Sequence, residues 1–297
     1  MVDPARPGTD SVSLEEAYAE CGRLARSHYE NFTVLSWLTP RRLRPYRAAL
    51  YAYCRVVDDL GDEAEGDRLA QLDQFEADLD AAFGGEGRGA LFVALADTLG
   101  RFDLPRDPFA RLIEANRMDQ TASRYATFDD LLHYCDHSAN PVGRLVLMLH
   151  GYRDPGFFCL SDFTCTALQL ANFWQDVARD LTNDRIYLPQ DDMEQFGVRE
   201  EDLSMGEASK PVRELIRFEV ARARRMFAEG LPLIDCVRGR LRVELSLFSG
   251  GGLAILDAIE AQGFDSLGSR PILSDGAKRR LMGRAIGRLL LGRRVRP

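Results

Sequence analysis

The sequence predicts an all-α protein folded as a single domain. From Ser13 onward, apolar residues recur at helical spacing in almost every segment. Period-two alternation of β-branched residues, the pattern expected of strands, is nearly absent. No stretch is long or simple enough to be a linker, and 297 residues with 45% hydrophobic content are ample for one sizeable core.

The predicted helices follow one another along the chain, with Gly and Pro breaks between them. The first begins at Ser13 with a Ser-x-x-Glu capping box. The others cover residues 41–61, 68–82, 88–100, 107–119, 129–150, 156–182, 208–228, 240–262 and 276–292. We expect residues 1–12 to be a disordered lead, residues 13–275 to form the domain, and residues 276–297 to be a basic C-terminal helix or tail.

Composition and charge argue against several classes of function. The formal net charge is −8, which gives no reason to expect a nucleic-acid partner. The six cysteines lack CxxC spacing and are expected to be reduced core residues of a cytosolic protein. No segment has the apolar length of a signal peptide or of a membrane span. The predicted location is therefore the cytoplasm.

The basic charge is concentrated at the C-terminus. Lys278 to Pro297 holds eight Lys and Arg residues and no acid, alternating with apolar residues. An amphipathic basic helix of this kind can lie on an anionic membrane surface, which leaves peripheral membrane contact open. The alternative is a terminal helix that docks on the acidic body of the protein.

Two predicted helices carry nearly the same polar stripe. The first set is Tyr51, Arg55, Asp58 and Asp62, and the second set is Gln169, Asn172, Asp176 and Asp180. The offsets are 0, 4, 7 and 11 in the first set and 0, 3, 7 and 11 in the second, so each set spans a wedge of about 60° to 100° of its helix. Both stripes end in an i,i+4 pair of aspartates.

Two facing aspartate pairs are typical of Mg²⁺ chemistry. Four carboxylates close together repel one another unless cations bind between them. Mg²⁺ accepts oxygen ligands and commonly bridges carboxylates to the phosphates of a substrate, where it assists the departure of a diphosphate. Asp58, Asp62, Asp176 and Asp180 are therefore the predicted metal ligands. Arg55, one turn before Asp58, adds a positive charge for the same phosphate oxygens.

A plainer interpretation also exists. Each acidic motif alone could be a solvated helix end or a salt-bridged surface patch on a non-catalytic helical scaffold. The recurrence of the same offsets next to apolar faces makes that interpretation weaker for the pair. It predicts that removal of Asp58 or Asp176 changes nothing measurable.

Several motifs resemble those of the squalene/phytoene synthase family over roughly residues 18–270. Besides the two Asp-rich motifs, they include HYCDHSANPVGRLV at 133–146 and DRIYLPQDDMEQFGV at 184–198. The resemblance implies an isoprenoid-synthase helical bundle with a central cavity and Mg²⁺-dependent ionisation of a prenyl diphosphate. It also implies that Tyr134 faces the reacting carbons, although a packed core tyrosine is an equally good interpretation. The same two interpretations apply to Tyr51 and Tyr187.

Departures from the family pattern favour one branch. Condensing members generally have an arginine just before the first aspartate of the second motif, where this chain has Gln175. They also have serines where Tyr29 and Asn31 stand, and Asn31 is predicted to contact substrate. The resemblance therefore favours a hydroxysqualene synthase acting on presqualene diphosphate, a single diphosphate. The alternative is a presqualene diphosphate, squalene or phytoene synthase that condenses two prenyl diphosphates.

Three glycines interrupt the predicted helix 240–262, in the sequence SGGGLAILD at 249–257. Glycine in a helix interior costs about 1 kcal/mol relative to alanine, so the run needs a reason. Either another helix packs closely against it, or the wall of the cavity stays open there for a bulky isoprenoid.

Overall fold

The computed structural model describes residues 12–27 and 38–273, together with Gly276, Arg279 and Gly283. Most of the predicted lead, Asn31 and almost all of the predicted C-terminal helix lie outside these residues. The membrane contact and the cytoplasmic location therefore stay predictions. None of the helices in the described part is both long and apolar enough to cross a membrane.

The described residues form an all-α bundle, and the only bridge of β type in them is an isolated one between Arg124 and Ile186. The helices are α1 Leu14–Ser27, α2 Arg44–Asp62, α3 Arg68–Phe83, α4 Gly89–Phe102, α5 Asp107–Met118, α6 Phe128–Ser138, α7 Asn140–Leu149, α8 Pro155–Thr182, α9 Gln190–Gln195, α10 Glu200–Leu203, α11 Lys210–Gly230, α12 Leu233–Cys236 and α13 Gly239–Ala261. The predicted all-α fold is confirmed.

Local signals in the sequence set several helix ends. Ser13 and Glu16 form the predicted capping box, each side chain accepting from the other's backbone N–H. The single helix predicted over 129–150 is wrong, because α6 ends at Ser138 and α7 begins at Asn140. Pro141 explains the break: it has no N–H to donate, and its ring would clash with the carbonyl of His137 in a continuous helix.

The hydrophobic core has two main parts, and each part contains one of the acidic helices. Buried residues of α2, such as Tyr53 and Val57, pack with α3, α4 and α7. Buried residues of α8, such as Trp174, pack with α11 and α13. Helix α5 contributes to both parts, Ile113 to the first and Ala115 to the second. The two acidic stripes are thus held by separate cores that α5 connects.

The glycine run of α13 is explained at Gly252 by close packing. A Cβ there would lie 2.3 Å from Phe227 Cζ of α11 and 2.9 Å from Leu168 Cδ2 of α8. At Gly251 a Cβ would meet no described atom within 4 Å. The first interpretation of the run, close approach of helices, therefore holds at Gly252, while Gly251 faces open space.

A buried ionic cluster fastens α9 to α11. Arg222 donates to Asp192 Oδ2 at 2.6 Å and to Glu219 Oε1 at 3.0 Å. Glu219 is fully buried and Asp192 nearly so. The pKa of Glu219 is raised to about 8, chiefly by burial. We call these three residues the Arg222 cluster.

Candidate active site

The acidic end of α2 lies against the end of α5. Asn116 Nδ2 donates to Asp58 Oδ1 at 3.4 Å, and Gln120 Nε2 donates to the carbonyl of Gly61 at 3.0 Å. A Cβ on Gly61 would lie 2.1 Å from Asn116 Oδ1, so only glycine permits this approach. The glycine inside the first acidic motif therefore lets α5 supply a hydrogen bond to Asp58.

Replacing Gly61 by alanine should lower the free energy of unfolding by about 1–3 kcal/mol, because the new methyl group pushes Asn116 away from α2. The matched control is Gly100→Ala in α4, where a Cβ would meet nothing within 4 Å. That control should gain about 0.5–1 kcal/mol from helix propensity. Urea denaturation of both variants measures the difference, and equal stabilities would contradict the close approach.

The predicted residues Arg55 and Tyr51 lie on the same side of α2. Arg55 makes ion pairs with Asp59 and with Glu63, the latter at 3.2 Å, and its charge also acts on Asp58. Tyr51 is half-buried one turn earlier, and burial raises the pKa of its phenol. Both residues are placed where the stripe predicted them, with Arg55 held by neighbouring acids.

The second acidic motif, on α8, is paired with a residue from beyond α13. Arg270 Nη2 donates to Asp176 Oδ2 at 3.0 Å and to Gln175 Oε1 at 3.4 Å. The side chain of Gln175 is buried, and its Nε2 donates to the carbonyl of Pro271. Arg270 therefore lies beside Gln175 and is paired with the first aspartate of the second motif.

Arg185 connects the two acidic motifs. Its Nη2 donates to Asp62 Oδ1 at 2.8 Å, and its positive charge also acts on Asp180 and Asp119. Burial lowers the pKa of Arg185, but the charges of Asp119 and Asp62 raise it by more, so the net shift is upward. A small cavity of about 10 Å³ lies beside Asp180, Arg185 and Tyr187, about the space that one water requires. Arg185 thus stands between the ends of α2 and α8.

Two of the predicted metal ligands have perturbed pKa values. The pKa of Asp58 is raised to about 6, chiefly by desolvation and also by Asp62, although the side chain remains accessible to solvent. The pKa of Asp180 is raised to about 7, again by desolvation first and then by Asp176. A carboxylate that is crowded by protein yet reached by water is typical of the wall of a recess. A bound cation favours the ionised form of such a carboxylate, which burial alone disfavours.

The donor set fits Mg²⁺ bound together with a phosphate ligand. In the described part of the chain, no three His, Cys, Asp or Glu side chains are grouped closely enough to hold an ion by themselves. Mg²⁺ is usually held by one or two carboxylates, with waters and substrate phosphates completing its shell. Asp58 with Asp62, and Asp176 with Asp180, are two such pairs.

Mg²⁺ should stabilise the protein more at pH 8 than at pH 5. Because Asp58 and Asp180 have raised pKa values in the folded state, the folded protein holds more protons than the unfolded chain between about pH 4 and pH 7. These two groups therefore make the metal-free protein less stable as pH rises through that range. At pH 8 both are ionised and free to bind Mg²⁺, whereas at pH 5 protons compete with the ion.

Thermal unfolding with and without 10 mM Mg²⁺ measures this difference. We expect Tm to rise by about 2–4 °C at pH 8, equivalent to about 1 kcal/mol, and by less than about 1 °C at pH 5. The double variant Asp58→Asn, Asp180→Asn is the control and should lose the response to Mg²⁺ at pH 8. Equal shifts at both pH values would contradict the assignment of the two aspartates.

Four aromatic rings form a cluster beside the acidic site. Phe173 stacks on Tyr187 with ring centroids 3.8 Å apart, and Tyr187 stacks on Tyr125 at 5.7 Å. Tyr134 packs against Tyr125 at 5.6 Å and against Tyr187 at 6.0 Å. Backbone hydrogen bonds bring these segments together: the N–H of Ile186 donates to the carbonyl of Ser123, and the N–H of Gln190 donates to the carbonyl of Tyr125. Ring faces of this kind stabilise a neighbouring cation.

Asp119, at the end of α5, is hydrogen-bonded to this aromatic cluster. The Tyr134 hydroxyl donates to Asp119 Oδ2 at 2.9 Å. Burial raises the pKa of Asp119 to about 6, with the charge of Arg185 opposing it. Burial also places the pKa of Tyr134 well above its ordinary value, so the phenol remains a donor.

The remaining predicted site residues are less closely involved. Gln169 is half-buried on α8, and Asn172, one turn later, is exposed. Asn31 lies outside the described residues. The sequence predictions missed Asn116, Asp119, Gln120, Arg185 and Arg270. The spacing of Asn116, Asp119 and Gln120 at the end of an apolar helix is the signal that could have revealed the contribution of α5.

Comparison with known proteins identifies the family. A family model described as squalene/phytoene synthase matches residues 25–280. The chain belongs to the squalene/phytoene synthase family. Family membership confirms the predicted resemblance and shows that the chain is an enzyme of a group acting on isoprenoid diphosphates by head-to-head chemistry. The alternative of a non-catalytic scaffold is set aside on this finding.

Individual members of the family resemble the chain over most of its length. The 15-cis-phytoene synthase of Synechococcus elongatus is 34% identical over 280 residues, which cover 88% of this chain and 90% of that protein. The crystal structure of squalene synthase HpnC from Alicyclobacillus acidocaldarius is 50% identical with a TM-score of 0.83, covering 86% of this chain and 97% of that one. A dehydrosqualene synthase structure, 24% identical, shares the fold with a TM-score of 0.84 over 94% of this chain and 98% of its own.

Proposed function

We propose that the protein is a hydroxysqualene synthase, which ionises presqualene diphosphate and captures the rearranged cation with water. The proposal deepens the family assignment by naming one step of the head-to-head route. The 50% identity to a protein described as a squalene synthase, above the 34% shared with a phytoene synthase, favours the squalene side of the family over the phytoene side. The observation that carries the proposal is the neutral side chain of Gln175, which is buried and donates to the carbonyl of Pro271.

Gln175 bears on how many diphosphates the site holds. Two diphosphates bring about six formal negative charges into one site and need many cationic partners. Position 175 offers a neutral carboxamide turned inward, with its Nε2 bonded to Pro271. The arginines of the described site are already paired with aspartates: Arg55 with Asp59, Arg185 with Asp62 and Arg270 with Asp176. This supply of positive charge suits one diphosphate.

In the proposed mechanism, Asp58, Asp62, Asp176 and Asp180 would hold Mg²⁺. When bound, the ion would offset the charge that the diphosphate gains as its C–O bond breaks. Arg55 and Arg185 contact the diphosphate oxygens, with Asn172 at the rim. The rings of Phe173, Tyr134 and Tyr187 then flank the cyclopropylcarbinyl cation while it rearranges away from bulk water.

Condensation of two prenyl diphosphates is the second candidate. Arg270 favours it, because this residue restores an arginine beside the first aspartate of the second motif. If Arg270 leaves Asp176 when substrate binds, its guanidinium can hold a second diphosphate. The similarity to a phytoene synthase over most of both chains is also consistent with condensation.

Product analysis separates the two candidates. Purified protein is incubated with Mg²⁺ and, separately, with presqualene diphosphate, farnesyl diphosphate or geranylgeranyl diphosphate, and the products are identified by mass spectrometry. We expect presqualene diphosphate alone to be consumed, with hydroxysqualene and diphosphate as products. Consumption of farnesyl or geranylgeranyl diphosphate, with presqualene diphosphate left intact, would replace the first candidate by the second.

A further inference from the structure

One carboxylate oxygen of Asp119 is buried without a hydrogen-bond partner among the described residues. This atom is Oδ1, since Oδ2 accepts from the Tyr134 hydroxyl. A buried carboxylate oxygen without a partner costs free energy of about 1–3 kcal/mol, and in proteins such atoms are usually met by ordered water or by a ligand.

A second unpartnered oxygen belongs to Tyr125. The Tyr125 hydroxyl is also buried without a hydrogen-bond partner in the described part of the chain. The negative charge of Asp119 contributes to the raised pKa of Tyr125, which places the two groups in one electrostatic neighbourhood. Tyr134 connects the two groups, because its hydroxyl bonds Asp119 and its ring packs against Tyr125 at 5.6 Å. Two unpartnered polar atoms are the fewest that a bound water requires.

The two unpartnered oxygen atoms, on Asp119 and Tyr125, lie at the aromatic cluster that is proposed to flank the cation. Tyr125 stacks on Tyr187, and Tyr134 packs against both rings. Asp119 also lies near Arg185, which contacts Asp62 of the first acidic motif. Asp119 is thus bonded to one residue of the aromatic cluster and lies within the electrostatic reach of Arg185.

We propose that Asp119 is the general base for water capture, holding the attacking water with the Tyr125 hydroxyl and accepting its proton on Oδ1. This inference rests on the proposed function. The water oxygen forms the new C–O bond with the rearranged cation and loses one proton to Asp119, which later passes it to solvent. The electron pair of the original C–O bond leaves with the diphosphate, so the step needs no oxidant or reductant.

Tyr134 has a positioning role in this step. Its hydroxyl donates to Oδ2 at 2.9 Å and leaves Oδ1 free to accept a hydrogen bond from water. A general base contributes about 10²- to 10⁴-fold to the step in which the proton moves. Loss of Asp119 therefore slows water capture but leaves the earlier ionisation to the metal-binding aspartates.

The test separates ionisation from water capture. Wild type, Asp119→Asn, Asp119→Glu and Tyr134→Phe are given presqualene diphosphate and Mg²⁺ in ¹⁸O-water, and released diphosphate and ¹⁸O-labelled alcohol are measured separately. The matched control is Asp129→Asn, an exposed aspartate at the start of α6. Thermal unfolding of each variant accompanies the assay.

We expect Asp119→Asn to release diphosphate within about fivefold of wild type while its share of labelled alcohol falls about 100-fold. The cation then loses a proton from carbon, and alkenes replace the alcohol. Asp119→Glu should recover part of the alcohol, and Asp129→Asn should match wild type. An unchanged share of labelled alcohol in Asp119→Asn would overturn the proposal that Asp119 is the general base, but not the proposed function.

Two other outcomes would also be decisive. If Asp119→Asn loses diphosphate release and alcohol in parallel and melts at a lower temperature, Asp119 is a structural residue and the inference is wrong. If wild type leaves presqualene diphosphate intact, the proposed function fails and the role of Asp119 in water capture fails with it.

Discussion

Replacing Asp176 by asparagine should lower the rate of Mg²⁺-dependent diphosphate release by about 10²- to 10³-fold. The change removes a charged oxygen from the proposed metal site at the position where Arg270 also binds. Because asparagine has nearly the same shape, the fold should be preserved. Single-turnover release of diphosphate from presqualene diphosphate measures the chemical step without product release.

A Mg²⁺ titration identifies the cause of the loss. If Asp176 is a ligand, the variant needs a higher Mg²⁺ concentration for half-maximal rate, and saturating metal recovers part of the activity. Asp129→Asn serves as the control here as well and should retain the wild-type rate and metal dependence. An Asp176→Asn variant with unchanged rate and unchanged metal dependence would refute the proposed metal site.

Replacing Arg222 by methionine should lower the free energy of unfolding by about 3–5 kcal/mol. Arg222 is the cation of the Arg222 cluster, and its removal leaves the buried carboxylate of Asp192 without a counterion and Glu219 without its hydrogen-bond donor. The variant also loses the stacking of the guanidinium on Phe128, whose ring centroid lies 3.9 Å away. Urea denaturation at pH 7.5 gives the change in stability.

Arg217→Met on the same helix is the matched control. Arg217 is half-exposed, pairs with Glu214 at i,i+3 and lies 4.8 Å from the ring centroid of Phe264, so its loss should cost about 1 kcal/mol or less. Glu219→Gln should stay within about 1 kcal/mol of wild type, because the raised pKa of Glu219 already favours its neutral form. Arg222→Met with wild-type stability would show that the Arg222 cluster contributes little to the fold.

Local pattern was enough to predict the fold and half of the site. Helical periodicity and the capping box at Ser13 identified the bundle, and the repeated offsets identified both aspartate pairs. The break at Asn140 was missed because the apolar pattern continues through it, although Pro141 marks the place.

The missed residues reach the site through contacts between distant parts of the chain. Arg270 is 94 residues from Asp176, and Asn116 is 58 residues from Asp58. No spacing rule connects positions so far apart, since only the packing of α5 on α2 and the path of the chain after α13 bring them together. Gln175 illustrates the point: its sequence position indicated a missing charge but not that Arg270, paired with Asp176, lies beside it in the folded chain.

The pairing of arginines with the motif aspartates has a consequence for how a metal ion binds. Arg185 on Asp62 and Arg270 on Asp176 act as internal counterions, each offsetting part of the repulsion among the acids. Part of the repulsion that a bound cation would offset is therefore already removed in the metal-free chain. Under the proposed function, an incoming metal ion would have to compete with these two guanidinium groups for the aspartates.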